Sequence, residues 1–298
     1  MASDRSQYHA AGAQPDPLQA RRRFSGAARS YAGAAVVQRE LGRRLMQRLD
    51  VVKLEPQRVL EVGCGPGIGT AELGKRYPKA RILALDYSEA MLSEVRAPRF
   101  GRVRRIAGDA ASMPLADDAA DLIFSNLMLP WCSDLGAVFR EFQRLLRPEG
   151  VLMFTTLGPD TLKELRAAWG QVDDAPHVHA FEDMHNVGDA LVRARLADPV
   201  MDMEFLTVTY DSVTALMREL KACGGSNVAA GRRRGLAGKH ALARMRAAYE
   251  AYRGPDGRVP ATVEAVYGHA WGTAAPGSFH SEDGSVVVPL SRLRRRSG

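Results

Sequence analysis

Val59-Leu60-Glu61-Val62-Gly63-Cys64-Gly65-Pro66-Gly67-Ile68-Gly69 reads as an apolar strand running into a glycine-rich turn. A helix is expected behind it, through Thr70 to Arg76. Glycine takes positive φ without penalty and lets another molecule approach the backbone. The first N–H groups of a helix lack partners and attract an anion. Two nucleotide-binding patterns fail here. The dinucleotide fingerprint G-x-G-x-x-G/A, counted from Gly63, Gly65 or Gly67, lands on Ile68, Thr70 or Glu72, none of them Gly or Ala. The Gly-Lys-Ser/Thr of a P-loop is absent. What stands is Glu-x-Gly-x-Gly-x-Gly.

Outward from the turn, strands and helices alternate. Strands are expected at residues 58–62, 81–85, 103–107, 120–125 and 151–156. Helices are expected to Arg76 and over residues 88–96, 135–146 and 161–172, with Ser88 as an N-cap and Pro148 and Gly150 as a stop. This alternation predicts an α/β fold, a doubly wound and mostly parallel sheet. In such sheets ligands sit outside the carboxyl ends of the strands. Gly63, Gly65 and Gly67 close the first strand. Asp86 closes the second, about twenty residues on, where an acid accepts from both hydroxyls of a ribose. Tyr87 beside it suits the face of an adenine. Asp109 closes the third strand, with the Ala110 N–H next to it, and Asn126-Leu127 closes the fourth.

This set resembles the first motif of class I S-adenosylmethionine-dependent methyltransferases. The resemblance implies a Rossmann-like fold whose glycine turn meets the single carboxylate of S-adenosyl-L-methionine. It implies a cofactor set of Tyr31, Glu61, Gly63, Gly65, Gly67, Asp86, Tyr87, Met91, Asp109, Ala110, Asn126 and Leu127. Glu61 would face the ligand's positive sulfonium and ammonium groups.

The flanks extend this core. Residues 1–17 are polar, with Pro15 and Pro17, and are expected to be disordered. Residues 18–49 turn helical, with Phe24, Ala27, Ala28, Tyr31 and Ala35 at three- and four-residue steps, and are expected to form a lid. Beyond residue 173 regularity weakens. Asp173–Asn186 is expected to be a loop carrying His177, His179 and His185, with no third metal ligand at suitable spacing for the His-x-His pair. A strand is expected at 203–209, a helix from the Asp211-Ser212 cap through Cys223, a loop at Arg232–Arg234, a helix at 239–252 and a last strand at 262–271. The expected organisation is a methyltransferase domain over 18–272, with lid and cap segments at about 18–50 and 173–260. A flexible basic tail is expected over 273–298, with a short edge strand at 286–288.

Bulk properties set limits. The 298 residues are 46% apolar, enough for a sizeable core. No run approaches the roughly 20 apolar residues of a membrane span, and the Arg-rich N-terminus has no apolar signal core. Cys64, Cys132 and Cys223 show no metal spacing and read as reduced thiols of a cytoplasmic protein. The net charge of +7 admits an acidic partner. The arginines are scattered without interleaved aromatics, so nucleic acid is not the expected partner.

Asn126-Leu127-Met128-Leu129-Pro130-Trp131 lacks the Asn-Pro-Pro-Tyr typical of amine-directed enzymes. An anionic acceptor would need no general base. Phe24-x-x-Ala27-Ala28-x-x-Tyr31 with Gln38 resembles the N-terminal signature of the malonyl-acyl-carrier-protein O-methyltransferases of biotin biosynthesis. So do Ser125-Asn126-Leu127-x-x-x-Trp131-Cys132, Phe154-Thr155-Thr156-Leu157, and Leu220-Lys221-x-x-Gly224 with Gly231-Arg232. That resemblance covers about residues 20–245. It implies methyl transfer to the free carboxylate of malonyl thioester on acyl carrier protein, or on coenzyme A. Lys221 and Arg232, with Arg218 behind, and Tyr31 are the candidates to position that carboxylate. The carrier is acidic, and basic loops at the pocket mouth would steer it. A second resemblance runs through Tyr249-x-x-Tyr252-Arg253-x-x-Asp256-Gly257, Pro260-Ala261-Thr262 and Trp271. These are similar to the mitochondrial complex I assembly factor of methyltransferase fold, a family implicated in arginine hydroxylation of a respiratory subunit.

Overall fold

The computed structural model of the chain describes residues 12–97, 101–233, 235 and 237–274. Seven strands form one sheet: β1 (Arg58–Val62), β2 (Arg81–Asp86), β3 (Val103–Ala107), β4 (Ala120–Asn126), β5 (Leu146–Leu157), β6 (Ala197–Tyr210) and β7 (Val259–Trp271). Their order is β3-β2-β1-β4-β5-β7-β6. The first five are parallel; β7 runs antiparallel to both β5 and β6. The expected doubly wound, mostly parallel sheet is present. Register brings the carboxyl ends into line: Val62 pairs with Leu85, and Asp86 with Ala107.

The helices are α1 (Pro17–Ala34), α2 (Val36–Arg48), α3 (Ile68–Arg76), α4 (Glu89–Glu94), α5 (Leu135–Leu145), α6 (Lys163–Gly170), α7 (Met184–Arg193), α8 (Val213–Ala222) and α9 (Lys239–Tyr249). Successive strand residues point to opposite faces, so each face carries its own core. Val59, Ile82, Leu122 and Phe124 pack with Leu41 and Leu45 of α2 and Leu73 of α3. Leu60, Val62, Ile123 and Leu152 pack with Phe139 and Phe142 of α5 and Leu191 of α7. A third cluster joins α6, α8 and α9 around Trp169, Tyr210 and Tyr249, forming the helical cap beside β6 and β7.

Several boundaries differ from expectation. The helical stretch over 18–49 breaks at Ala35, whose ψ of 59° leaves the helix region. The break lets α1 cross the carboxyl ends of the strands while α2 lies on the sheet face. Residues 12–16 are not a free leader: Ala13, Gln14 and Asp16 share backbone hydrogen bonds with Ala180, Ala230 and Val228. Asp16 caps α1, accepting from the N–H groups of Leu18 and Gln19. The expected loop around His185 is instead α7, capped by Asp183; Val187, Ala190 and Leu191 already showed its apolar stripe. Strand β6 begins at Ala197, well before residue 203, because its backbone pairs with β7 as far as Trp271. Expectations for residues 1–11 and for 275–298, including the edge strand at 286–288, lie outside the described residues. Among the described residues no helix is long and apolar enough to cross a membrane.

Gly268 of β7 pairs with Phe154 of β5, and a Cβ there would collide with the fully buried Phe154 ring and come within 2.9 Å of Met201 Sδ. Gly268→Ala is expected to cost about 1–3 kcal/mol through overpacking, read as a shift in the urea midpoint. Adding Phe154→Leu should recover part of the loss; strict additivity of the two changes would count against this packing.

Candidate active site

The turn after β1 is built from left-handed backbone. Gly63, Gly65 and Gly67 have φ of 75°, 54° and 88°. A Cβ on Gly63 would sit 2.5 Å from Met128, and one on Gly67 3.1 Å from Val95. Gly65 is different: its open side faces only Tyr31, at 3.9 Å. The turn is held by Asp86. One carboxylate oxygen accepts from the Gly65 N–H at 2.8 Å, the other from the Ser88 N–H at 2.8 Å. Burial pushes the Asp86 carboxyl above its usual range, and these two backbone donors pull it back.

One cavity lies over this turn. Gly63, Gly65, Asp86, Tyr87, Met91, Asp109, Ala110, Asn126 and Leu127 all line it, together with Tyr31 from α1. The carboxyl ends of four strands and the lid helix therefore converge. Asp109 holds its own turn, its carboxylate accepting from the Ala111 N–H at 2.9 Å. Helix α1 forms the roof. Ser25 Oγ lies 2.8 Å from Ser88 Oγ, the Arg21 guanidinium sits 4.9 Å above the Tyr87 ring, and Phe24 meets Trp131 edge-on at 4.8 Å. The Tyr31 phenol is pushed upward by burial, then by Cys223, Asp86 and Glu61, so it is a neutral donor.

Two expected members are placed elsewhere. Glu61 does not line the cavity; it turns beneath the helix start, accepts from Thr70 Oγ1, and abuts Gly69. The strand alternation that sends Leu60 and Val62 to one face sends Glu61 to the other. Burial raises its carboxyl to about 8, against the opposing Thr70 hydrogen bond, with Asp86 adding to the rise. Gly67 is also outside the lining and serves as the N-cap of α3. Asn126 lines the cavity but its amide is already engaged: Nδ2 donates to the Gln38 carbonyl at 2.9 Å, and Oδ1 accepts from Thr155 Oγ1 at 2.8 Å.

A second, apolar chamber of about 370 Å³ adjoins the first, a size typical of small-molecule sites. Gln38, Leu127, Trp131 and Leu157 line both. The rest of its wall comes from the cap, including Leu165, Trp169, Phe181, Leu216 and Val263. Its outer end opens into a polar mouth through Lys221, Ser226 and Asn227, which line both spaces. Arg23, Arg232 and Arg233 also line the mouth, with Asp16, Gln19 and Gly235. Thus Lys221 stands between chamber and mouth, and Arg232 only at the mouth, where it donates to the Ala229 carbonyl and faces Asp16. Arg218 is exposed and lines none of these three spaces. Tyr31 lines the inner cavity.

The histidine pair does not act together. His177 binds Asp173 at 2.8 Å and stacks on Trp169 at 3.7 Å, whereas His179 packs between Trp131 and Phe181. Among the described residues no group of three or more His, Cys, Asp or Glu is gathered for a metal. The three cysteines are free. Sequence reasoning missed the site roles of Phe24, Gln38 and Trp131. All three lay in quoted motifs, but only the fold shows that they share one wall.

A sequence profile described as a methyltransferase domain matches residues 60–154. A protein of Halorhodospira halophila named malonyl-[acyl-carrier protein] O-methyltransferase is 48% identical over 279 residues, covering 93% of this chain and 95% of its own. The crystal structure of the YcgJ protein from Bacillus subtilis superposes with a TM-score of 0.55 at 16% identity, over 78% of this chain and 99% of its own. A Haemonchus contortus phosphoethanolamine N-methyltransferase 2, solved with phosphomonomethylethanolamine and S-adenosylhomocysteine, gives a TM-score of 0.50 at 16% identity. It covers 78% of this chain and 52% of its own. At that identity the two structures speak to fold alone.

Glu61 sets a pH dependence for the unliganded protein. Its folded value of about 8 lies above the ordinary 4.5. Between these values the folded chain holds a proton that the unfolded chain has released. The stabilisation is full below the unfolded value and is lost as pH rises through about 8. Glu61→Gln should therefore flatten the fall of the unfolding midpoint between pH 5 and 8. An identical slope in both proteins would assign the dependence to another group.

Proposed function

The chain belongs to the malonyl-[acyl-carrier protein] O-methyltransferases, and from that premise we propose that it methylates the free carboxylate of a malonyl thioester on acyl carrier protein. The methyl donor is S-adenosyl-L-methionine, and the product ester belongs to an early step of biotin synthesis. The observation that carries the proposal is the meeting of two cavities at Gln38, Leu127, Trp131 and Leu157. One is lined by glycine turn and acids, the other by apolar cap residues. The relatives, 41–48% identical and bearing this name, favour it over the respiratory assembly-factor resemblance.

The inner cavity suits the donor. The open side of Gly65 lets a ligand lie against the backbone. Asp86 is held by Gly65 and Ser88 with its remaining lone pairs free for ribose hydroxyls. Asp109 and the Ala110 N–H fit an adenine edge, and Tyr87 and Met91 its face. Glu61 and Gly67 serve by shaping the turn rather than by contact.

S-adenosylmethionine supplies, when bound, an electrophilic methyl group on a positive sulfur. A carboxylate acceptor is already ionised, so the chain has no proton to remove. Its residues align the acceptor with the methyl group and exclude water. Tyr31 and Gln38 offer neutral donors near the shared wall, which orient an anion without quenching it. The roof of α1 and the Trp131 wall keep the space dry. Lys221 at the outer end and Arg23, Arg232 and Arg233 at the mouth suit an acidic carrier and would raise its association rate.

Purified protein with labelled S-adenosylmethionine and malonyl-acyl carrier protein should yield a base-labile methyl ester, identified by mass. Rising salt should slow the reaction chiefly through KM. Tyr31→Phe should reduce kcat/KM roughly tenfold, about the worth of one buried hydrogen bond. Cofactor-bound protein that leaves malonyl carrier unmodified would refute the proposal.

A further inference from the structure

His179 is a buried polar group with no assigned task. Its ring is 3% exposed and lies between Trp131 and Phe181, at 4.9 and 4.7 Å. One nitrogen is engaged with the backbone of Pro130, while Nε2 is buried and has no hydrogen-bond partner. The ring lines the apolar chamber next to Trp131, one of the residues shared with the inner cavity. Burial lowers its pKa to about 4, with Arg166 acting in the same direction, so the imidazole is neutral near pH 7. With Nδ1 carrying the proton toward Pro130, Nε2 keeps an unmatched lone pair just beneath the chamber wall, which a donor reaches only by displacing the side chains that cover it.

The neighbouring His177 makes the contrast. Its ring nitrogen is paired with Asp173, and its face is covered by Trp169. His179 has an equally fixed ring but an unmet acceptor. Leaving such an atom unsatisfied costs about 1–3 kcal/mol, and buried polar atoms in native proteins are nearly always paired. A lone pair is satisfied only by a donor. A carboxylate has none, and would be repelled. The malonyl carboxylate is therefore excluded from this spot and directed toward Tyr31 and Gln38.

We infer that His179 accepts a hydrogen bond from an amide N–H on the arm that carries the thioester, and so fixes which way the acceptor lies in the chamber. The inference rests on the thioester methylation proposed above. It makes His179 a determinant of specificity for the arm rather than for the reacting carboxylate. The interaction asks for an uncharged donor beyond the sulfur, which an amide-bearing arm provides and a plain alkyl thiol does not.

The test changes one atom of the acceptor. Malonyl-N-acetylcysteamine carries an amide N–H two carbons from its sulfur; the matching thioester of O-acetyl-2-mercaptoethanol has an ester oxygen in its place. The native protein should prefer the amide by about tenfold or more in kcat/KM. In His179→Phe the preference should shrink to about twofold, and His179→Gln, whose side-chain oxygen accepts, should restore part of it. The ratio is taken within each variant, so a loss of folded protein cancels. An undiminished preference in His179→Phe would overturn the assignment while ester formation still upheld the methylation itself. No ester from any malonyl thioester would overturn both.

Discussion

The carboxylate of Asp86 ties the end of β2 to the glycine turn after β1, and the rest of the site depends on that tie. Its two oxygens accept from Gly65 and Ser88, so one side chain holds a turn and starts a helix at once. The left-handed backbone at Gly63, Gly65 and Gly67 would be strained for any other residue. With the turn held, Gly65 lies open under Tyr31, and the ends of β1 to β4 form one rim. A carboxylate held only by backbone donors is positioned without a competing cation, which leaves its remaining lone pairs for a ligand.

A row of aromatic rings links that rim to the apolar chamber. Phe24 of the lid meets Trp131, Trp131 meets His179, and His179 meets Phe181. The Trp131 indole donates to the Leu127 carbonyl at 3.1 Å, and the Leu127 N–H donates to Thr155 Oγ1 at 2.9 Å. The wall between the two cavities is thus hydrogen-bonded through Leu127, just after β4, to strand β5. The lid is anchored at its far end too, with Ser30 donating to the Ala222 carbonyl at 2.7 Å. Gly224 packs so closely on Phe24 that a Cβ would lie 2.7 Å from the ring. Lid, wall and cap therefore behave as one surface, apolar along the chamber and with its basic side chains gathered mainly at the mouth.

Much of this was legible from residue patterns. The strands at 58–62 and 103–107 were read to the residue, because each is a short run with β-branched residues that stops at a glycine, Gly63 or Gly108. Asp86, Asp109 and Asn126 were read as strand-end residues of one rim, and they do line one cavity. Glu61 turns away from the cavity for a simple reason. Spacing in a motif says which residue follows which, but side-chain direction in a strand depends on which face is already taken by the core. The helix at Met184–Arg193 was missed because the histidines around it suggested a loop, although Asp183 before an apolar stripe marked a helix start. Lys221 and Arg232 were picked out by their charge and by the motifs that contain them. Their position at the outer end of the path follows from how α8 meets the segment after it.

What the amino-acid order determined by itself is the local chemistry: the alternation of strand and helix, the glycines that permit a left-handed turn, and the acids that end strands. These follow from short-range sterics and periodicity, which act between near neighbours. What only the tertiary structure decided is which of these groups face the same space. The break at Ala35, the burial of Glu61 beneath Thr70 and the bare nitrogen of His179 all arise from contacts between distant segments. No pattern in one segment encodes them, because packing selects among directions that local geometry leaves equally open.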